Sequence, residues 1–176
     1  MRRKEWPGKF VKQVVIVAAI WLLSSHLNIH AQIPASRSEA LRILKGCSTR
    51  PVTLNCSEDT AEYLVNLYNL GDHSLLPPLL DAGLHSDAAM SELLGTFYSD
   101  VLVLRPRSFL SSLQSRPRKQ QSYLCSMAGY TDGGGLERSQ FRKVKNSLHT
   151  LSRRKDYLAR VAGVCLSEIN RANAQR

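Results

Sequence analysis

From residue 136 to residue 162 the chain carries neither proline nor glycine, and its apolar residues recur at helical spacing. Phe141, Leu148, Lys155, Ala162 and Ile169 repeat at seven, with Val144, Leu151, Leu158 and Cys165 filling the steps of three and four between them. This pattern predicts a long amphipathic C-terminal helix with one apolar stripe. A helix over residues 137–171 is about 52 Å long at 1.5 Å per residue. A compact globule of 145 residues, the length of this chain from Gln32 to Arg176, is only about 38 Å across. The helix must therefore project, pair with a second copy as a homodimer, or break near Ser152-Arg153-Arg154-Lys155-Asp156, where Lys155 interrupts the stripe. A break or frayed protrusion is favoured over a dimeric coil.

Counting from Gln32 rests on the N-terminus. Arg2, Arg3, Lys4, Lys9 and Lys12 precede an uninterrupted apolar run at residues 14–23, and a polar stretch ends at Ala31. Ten apolar residues are about half of the ~20 that a membrane-spanning helix needs. The arrangement reads as an export signal over residues 1–31, cleaved near Ala31, followed by one domain over residues 32–176. The expected location is secreted or periplasmic. A retained N-terminal anchor holding the protein at a membrane surface is the alternative.

All four cysteines, Cys47, Cys56, Cys125 and Cys165, follow this segment. An even number behind an export signal predicts two disulfides. Of the three connectivities, Cys47–Cys56 with Cys125–Cys165 is favoured, because the first pair is close in sequence and each pair joins predicted helices. The spacing contains no Cys-x-x-Cys pair, so no metal site is predicted.

Proline, glycine and capping residues divide the rest into short helices. Ser36 or Ser38 can cap a first helix that Gly46 ends in a left-handed conformation. Ser57 can cap a second, with Leu64, Leu67 and Tyr68 on its apolar stripe and Gly71 at its end. A third holds Pro77 and Pro78 in its first turn. A fourth starts at Ser86-Asp87 and is broken by Pro106, a fifth covers residues 107–113, and a sixth covers 118–128. At an offset of 30, Glu62 meets Glu92, Leu64 meets Leu94, Leu67 meets Phe97, Tyr68 meets Tyr98, Leu79 meets Phe109 and Leu80 meets Leu110. This resembles the paired-helix repeat of HEAT-like proteins over residues 57–113. The resemblance implies two stacked antiparallel helical hairpins and carries no function with it. The fold expected is all-α.

Charge is segregated. Residues 32–104 hold 4 basic and 9 acidic side chains, whereas residues 105–176 hold 15 basic and 4 acidic ones. Arg138, Arg142, Lys143, Lys145, Arg153, Arg154, Lys155 and Arg160 surround the C-terminal stripe. Such a surface attracts an anionic envelope polymer, lipid head groups or an acidic protein partner. It is otherwise a solvated face, or one paired with the chain's own acidic half. Export argues against genomic nucleic acid, and no aromatic-interleaved binding surface is present. The leading expectation is a non-catalytic exported binding or structural protein, whose acidic and basic halves contact different surfaces.

An envelope-active hydrolase is the alternative, using two carboxylates across a cleft, one of them kept protonated. Glu62, Glu92 and Asp100 are its candidates, and none is assigned a catalytic role. No cofactor is implied. Asp132-Gly133-Gly134-Gly135 lacks the Lys-Ser or Lys-Thr pair of a phosphate loop and reads as a turn. His73, His85 and His149 are too scattered to hold a metal.

Overall fold

The computed structural model describes residues 34–47, 58–129 and 136–174. The N-terminal segment, the expected Cys47–Cys56 disulfide and the expected turn at Asp132-Gly133-Gly134-Gly135 lie outside the described residues. Within these bounds the chain is all-helical, with eight α-helices, one 3-10 turn and no strand. The helices are α1 (Arg37–Cys47), α2 (Glu58–Asn69), α3 (Leu76–Gly83), α4 (Ala88–Leu104), α5 (Pro106–Leu113), α6 (Arg118–Gly129), α7 (Arg138–Ser152) and α8 (Ala159–Ala174).

The helix ends follow local chemistry. Ser36 Oγ accepts from Glu39 N at 3.2 Å and Glu39 Oε2 accepts from Ala35 N at 3.0 Å, a reciprocal cap that starts α1. Asp87 accepts from Met90 N at 3.0 Å and starts α4. A 3-10 turn, His73–Leu75, leads into α3, whose Pro77 and Pro78 sit where main-chain N–H groups have no helical partner. Gly46 corrects one expectation. It lies inside α1, and among the described residues the glycine at positive φ is Gly71 after α2, at φ 117°. Its amide donates to Tyr68 O at 3.0 Å while Asp72 N donates to Leu67 O at 3.1 Å, closing the end of α2.

The C-terminal helical pattern breaks after Ser152, the outcome favoured from its length and from Lys155. It is two helices, α7 and α8, separated at residues 153–158 and packed on each other. Lys155, the charged member of the heptad stripe, is exposed in this turn. Asp156 Oδ1 accepts from Leu158 N at 3.0 Å and Asp156 O from Ala159 N at 3.2 Å, so α8 starts on a fresh cap. Val144, Leu148, Leu151, Leu158, Ala162, Cys165 and Ile169 are all buried. The seam that a homodimeric coil would use is thus covered by the chain itself.

Helix α4 lies at the centre, against α2, α3, α5, α6 and α7. Its buried residues include Met90, Leu94, Phe97, Tyr98, Val101 and Leu102. Helix α6 packs on both α4 and α8, and the Cys125–Cys165 disulfide joins α6 to α8. The 40-residue separation makes this cross-link worth about 4 kcal/mol on the chain-entropy account.

Tyr98 is fully buried and donates to Leu79 O at 2.6 Å. Burial pushes its phenol far above the ordinary tyrosine value. Gly83, in the last turn of α3, lies against the phenol, and a methyl group there would overlap Tyr98 Oη. The glycine is required for close approach of two helices, not for an unusual backbone. Gly83→Ala is expected to destabilise by about 1–3 kcal/mol through overpacking. Tyr98→Phe is expected to cost about 1–3 kcal/mol by removing the donor to Leu79 O. The double variant should lose clearly less than the sum, since removing the hydroxyl relieves the worst overlap. Urea unfolding of the four proteins measures this, and additivity within ~0.5 kcal/mol would refute the coupling.

Candidate functional site

Helix α7 places its cations by helical geometry. Val144, Leu148 and Leu151 occupy one face and are buried. Arg138, Arg142, Lys145 and His149 stand at i, i+4, i+7 and i+11, which aligns them along an adjoining face about 16 Å long. All four are exposed. The spacing from Arg138 brings His149 into this line, a residue that the cations named from sequence do not include. The line runs toward the turn that carries Arg153, Arg154 and Lys155. Lys143 and Arg160 are exposed on other faces of α7 and α8.

All eight of the cations named from sequence are therefore solvent-facing. Among the described residues none of them forms an ion pair with a carboxylate. Lys145 Nζ instead lies 5.9 Å from the centre of the Phe141 ring. The line from Arg138 to His149 has no carboxylate member, and successive cations one turn apart on α7 repel one another. This leaves a positive field directed at solvent.

Other cations of the basic half serve the fold. Arg116 has only 12 % of its side chain exposed and binds Asp81 at 2.6 Å. It also donates to Pro77 O at 3.1 Å and Ser112 O at 3.3 Å, tying α5 to α3. Arg107 lies 3.8 Å from Asp156 and bridges α5 to the turn before α8. Arg105 Nη1 meets His73 Nε2, joining the residue that follows α4 to the 3-10 turn. The Tyr68 phenol is raised by burial, with Arg105 pulling the other way.

The acidic side has its own geometry. Glu62 on α2 and Glu92 and Asp100 on α4 line one open groove of about 350 Å³, with Val65, Leu93 and Phe97 among its walls. Helices α2 and α4 pack together here, and the Tyr68 and Phe97 rings meet edge to face at 5.0 Å. Asp100 is exposed at the groove rim, and partial desolvation there raises its carboxyl above the ordinary aspartate value. Glu62 and Glu92 are exposed as well. Among the described residues these three carboxylates have no ion-paired cation, so the groove attracts cations. Hydration of its exposed members works against the dry, asymmetric pair that acid–base catalysis uses.

Among the described residues no group of three or more His, Cys, Asp or Glu side chains is placed to hold a metal ion. Nor is any described helix long and apolar enough to cross a membrane. No known protein family matches the sequence, and no curated protein or solved structure matches it either.

Proposed function

We propose that this chain is an exported, non-catalytic binding protein whose basic C-terminal face holds an anionic polymer, lipid head groups or an acidic protein partner. One observation carries the reading: the eight exposed cations of α7, α8 and their connecting turn have no carboxylate partner among the described residues. Cations that served only to offset the acidic half would be expected to pair with it, as Arg116 does with Asp81. Binding to immobilised dextran sulfate tests the reading. Affinity is expected to fall steeply between about 0.1 M and about 1 M salt, as the screening length shrinks from ~10 Å to ~3 Å. Replacing Arg142, Lys143, Arg153 and Arg154 together by glutamine should weaken binding roughly thirtyfold, at ~0.5 kcal/mol per exposed contact. Retention that ignores salt would sink the proposal.

The export part of the proposal places the mature start at Gln32 and adds a Cys47–Cys56 disulfide to Cys125–Cys165. Intact mass of the protein from its native host, before and after reduction and alkylation, reads both. The expected mass is that of residues 32–176 with all four thiols oxidised. A full-length mass would favour the retained anchor, and four free thiols would remove the compartment argument.

The HEAT-like arrangement of residues 57–113 also stands as a proposal. It is supported by Glu62 and Glu92, equivalent at the offset of 30, lining the same groove. One observation favours the hydrolase alternative, the placement of Glu62, Glu92 and Asp100 on one groove, with Asp100 raised by partial desolvation. On that reading purified cell wall releases soluble fragments, and Glu92→Gln or Glu62→Gln abolishes the release. Absence of release across pH retires it.

A further inference from the structure

The start of α7 and the end of α8 border an open cleft of about 630 Å³, lined by Leu136, Arg138, Phe141, Arg142 and Asn173. That volume lies within the range of small-molecule sites, roughly 300–1,000 Å³. The lining divides into two chemistries. Leu136 is buried and Phe141 half-buried, so the apolar wall is continuous with the core. Arg138 and Arg142 are exposed and one helical turn apart, close enough for two guanidinium forks to engage one multivalent oxyanion. Asn173 adds an amide that can donate or accept. Among the described residues no carboxylate lines the cleft.

A bare inorganic anion would use the two arginines and leave the Phe141 wall without a function. A neutral apolar molecule would use the wall and leave the arginines unengaged. We infer that the cleft binds an anionic amphiphile, a phosphate head group held by Arg138 and Arg142 with an alkyl chain against Leu136 and Phe141. The inference rests on the basic face being an anion-binding surface and deepens it, by naming one ligand class at one end of that face. Guanidinium suits the head group because its planar fork pairs two N–H groups with two phosphate oxygens, which an ammonium cannot do. The chain end of the ligand gains by leaving water against an aromatic ring, at about fourfold in affinity per fully buried methylene.

The test is calorimetric titration of the full chain with hexyl, octyl and decyl phosphate below their micelle concentrations, with inorganic phosphate as the second arm. One saturable site is expected, tightening about twofold to fourfold per added methylene, with inorganic phosphate far weaker than decyl phosphate. Arg138→Gln combined with Arg142→Gln should weaken decyl phosphate at least about tenfold. These side chains are exposed, so the variant is expected to fold. Phe141→Ser, checked for folding by its melting curve, should flatten the dependence on chain length while leaving dextran sulfate retention in place.

Equal affinity for inorganic and decyl phosphate, or titration without saturation, overturns the inference. If that happens while salt-sensitive retention on dextran sulfate persists, only the cleft is wrong. If retention fails and saturable, length-dependent binding remains, the extended basic face is wrong and the cleft stands.

Discussion

Tyr98 and Ser99 are consecutive residues of α4, about 100° apart around its axis, and their hydroxyls reach main-chain carbonyls on opposite neighbours. Tyr98 donates to Leu79 O in α3. Ser99 Oγ lies 2.5 Å from Ala128 O in α6 and 3.0 Å from Gly95 O in its own helix, so its one proton faces two acceptors. Both side chains are buried, and in a low-dielectric interior each unmade hydrogen bond would cost more than a made one contributes. The pair fixes where α3 and α6 sit along α4. Hydrophobic burial supplies most of the driving force but is non-directional. These two hydroxyls convert a helix with apolar residues on several sides into one with defined neighbours.

Once α6 is set against α4, the C-terminal helices have one consistent place. Cys125 ties α6 to α8, and α7 reaches the body through Val144, Leu148 and Leu151. The turn at residues 153–158 lets one apolar stripe serve two helices that pack on each other. A straight continuation would carry half the stripe beyond the core and expose it to water. The charged run from Arg153 to Asp156 is well suited to such a turn, because it needs no burial, and Asp156 supplies the cap on which α8 restarts.

Much of the helical arrangement was legible because its determinants are local. Asp87 caps α4, Pro106 separates α4 from α5, and the prolines of α3 fall in its first turn. The Cys125–Cys165 bond was legible because both residues fall in helices predicted to have a buried side. Gly46 was misread because a glycine near a helix end permits a left-handed turn without imposing one. The contacts that depend on distant partners were not legible. Arg116 belongs by sequence to the basic half, yet its carboxylate is Asp81, 35 residues earlier, and nothing local to either residue announces the pairing. The same holds for Gly83, whose role is set by a tyrosine on the next helix. The exposure of the cations on α7 followed from helical periodicity, whereas the cleft at its start required the end of α8 to arrive beside it.

The division between these two groups of cations bears on what the exposed ones do. Arg116 is held by a carboxylate and two carbonyls, so its charge is used within the fold. Arg138, Arg142 and Lys145 repeat at spacings of four and three on one helix, where like charges destabilise by ~0.2–0.5 kcal/mol per pair. They therefore oppose the helix that carries them, slightly, and the buried stripe of α7 together with the α6–α8 disulfide supplies the stability that tolerates them. Folding and the positive field thus rest on different side chains. An oppositely charged ligand would relieve the repulsion as it binds, and its affinity would include that relief without rearranging the core.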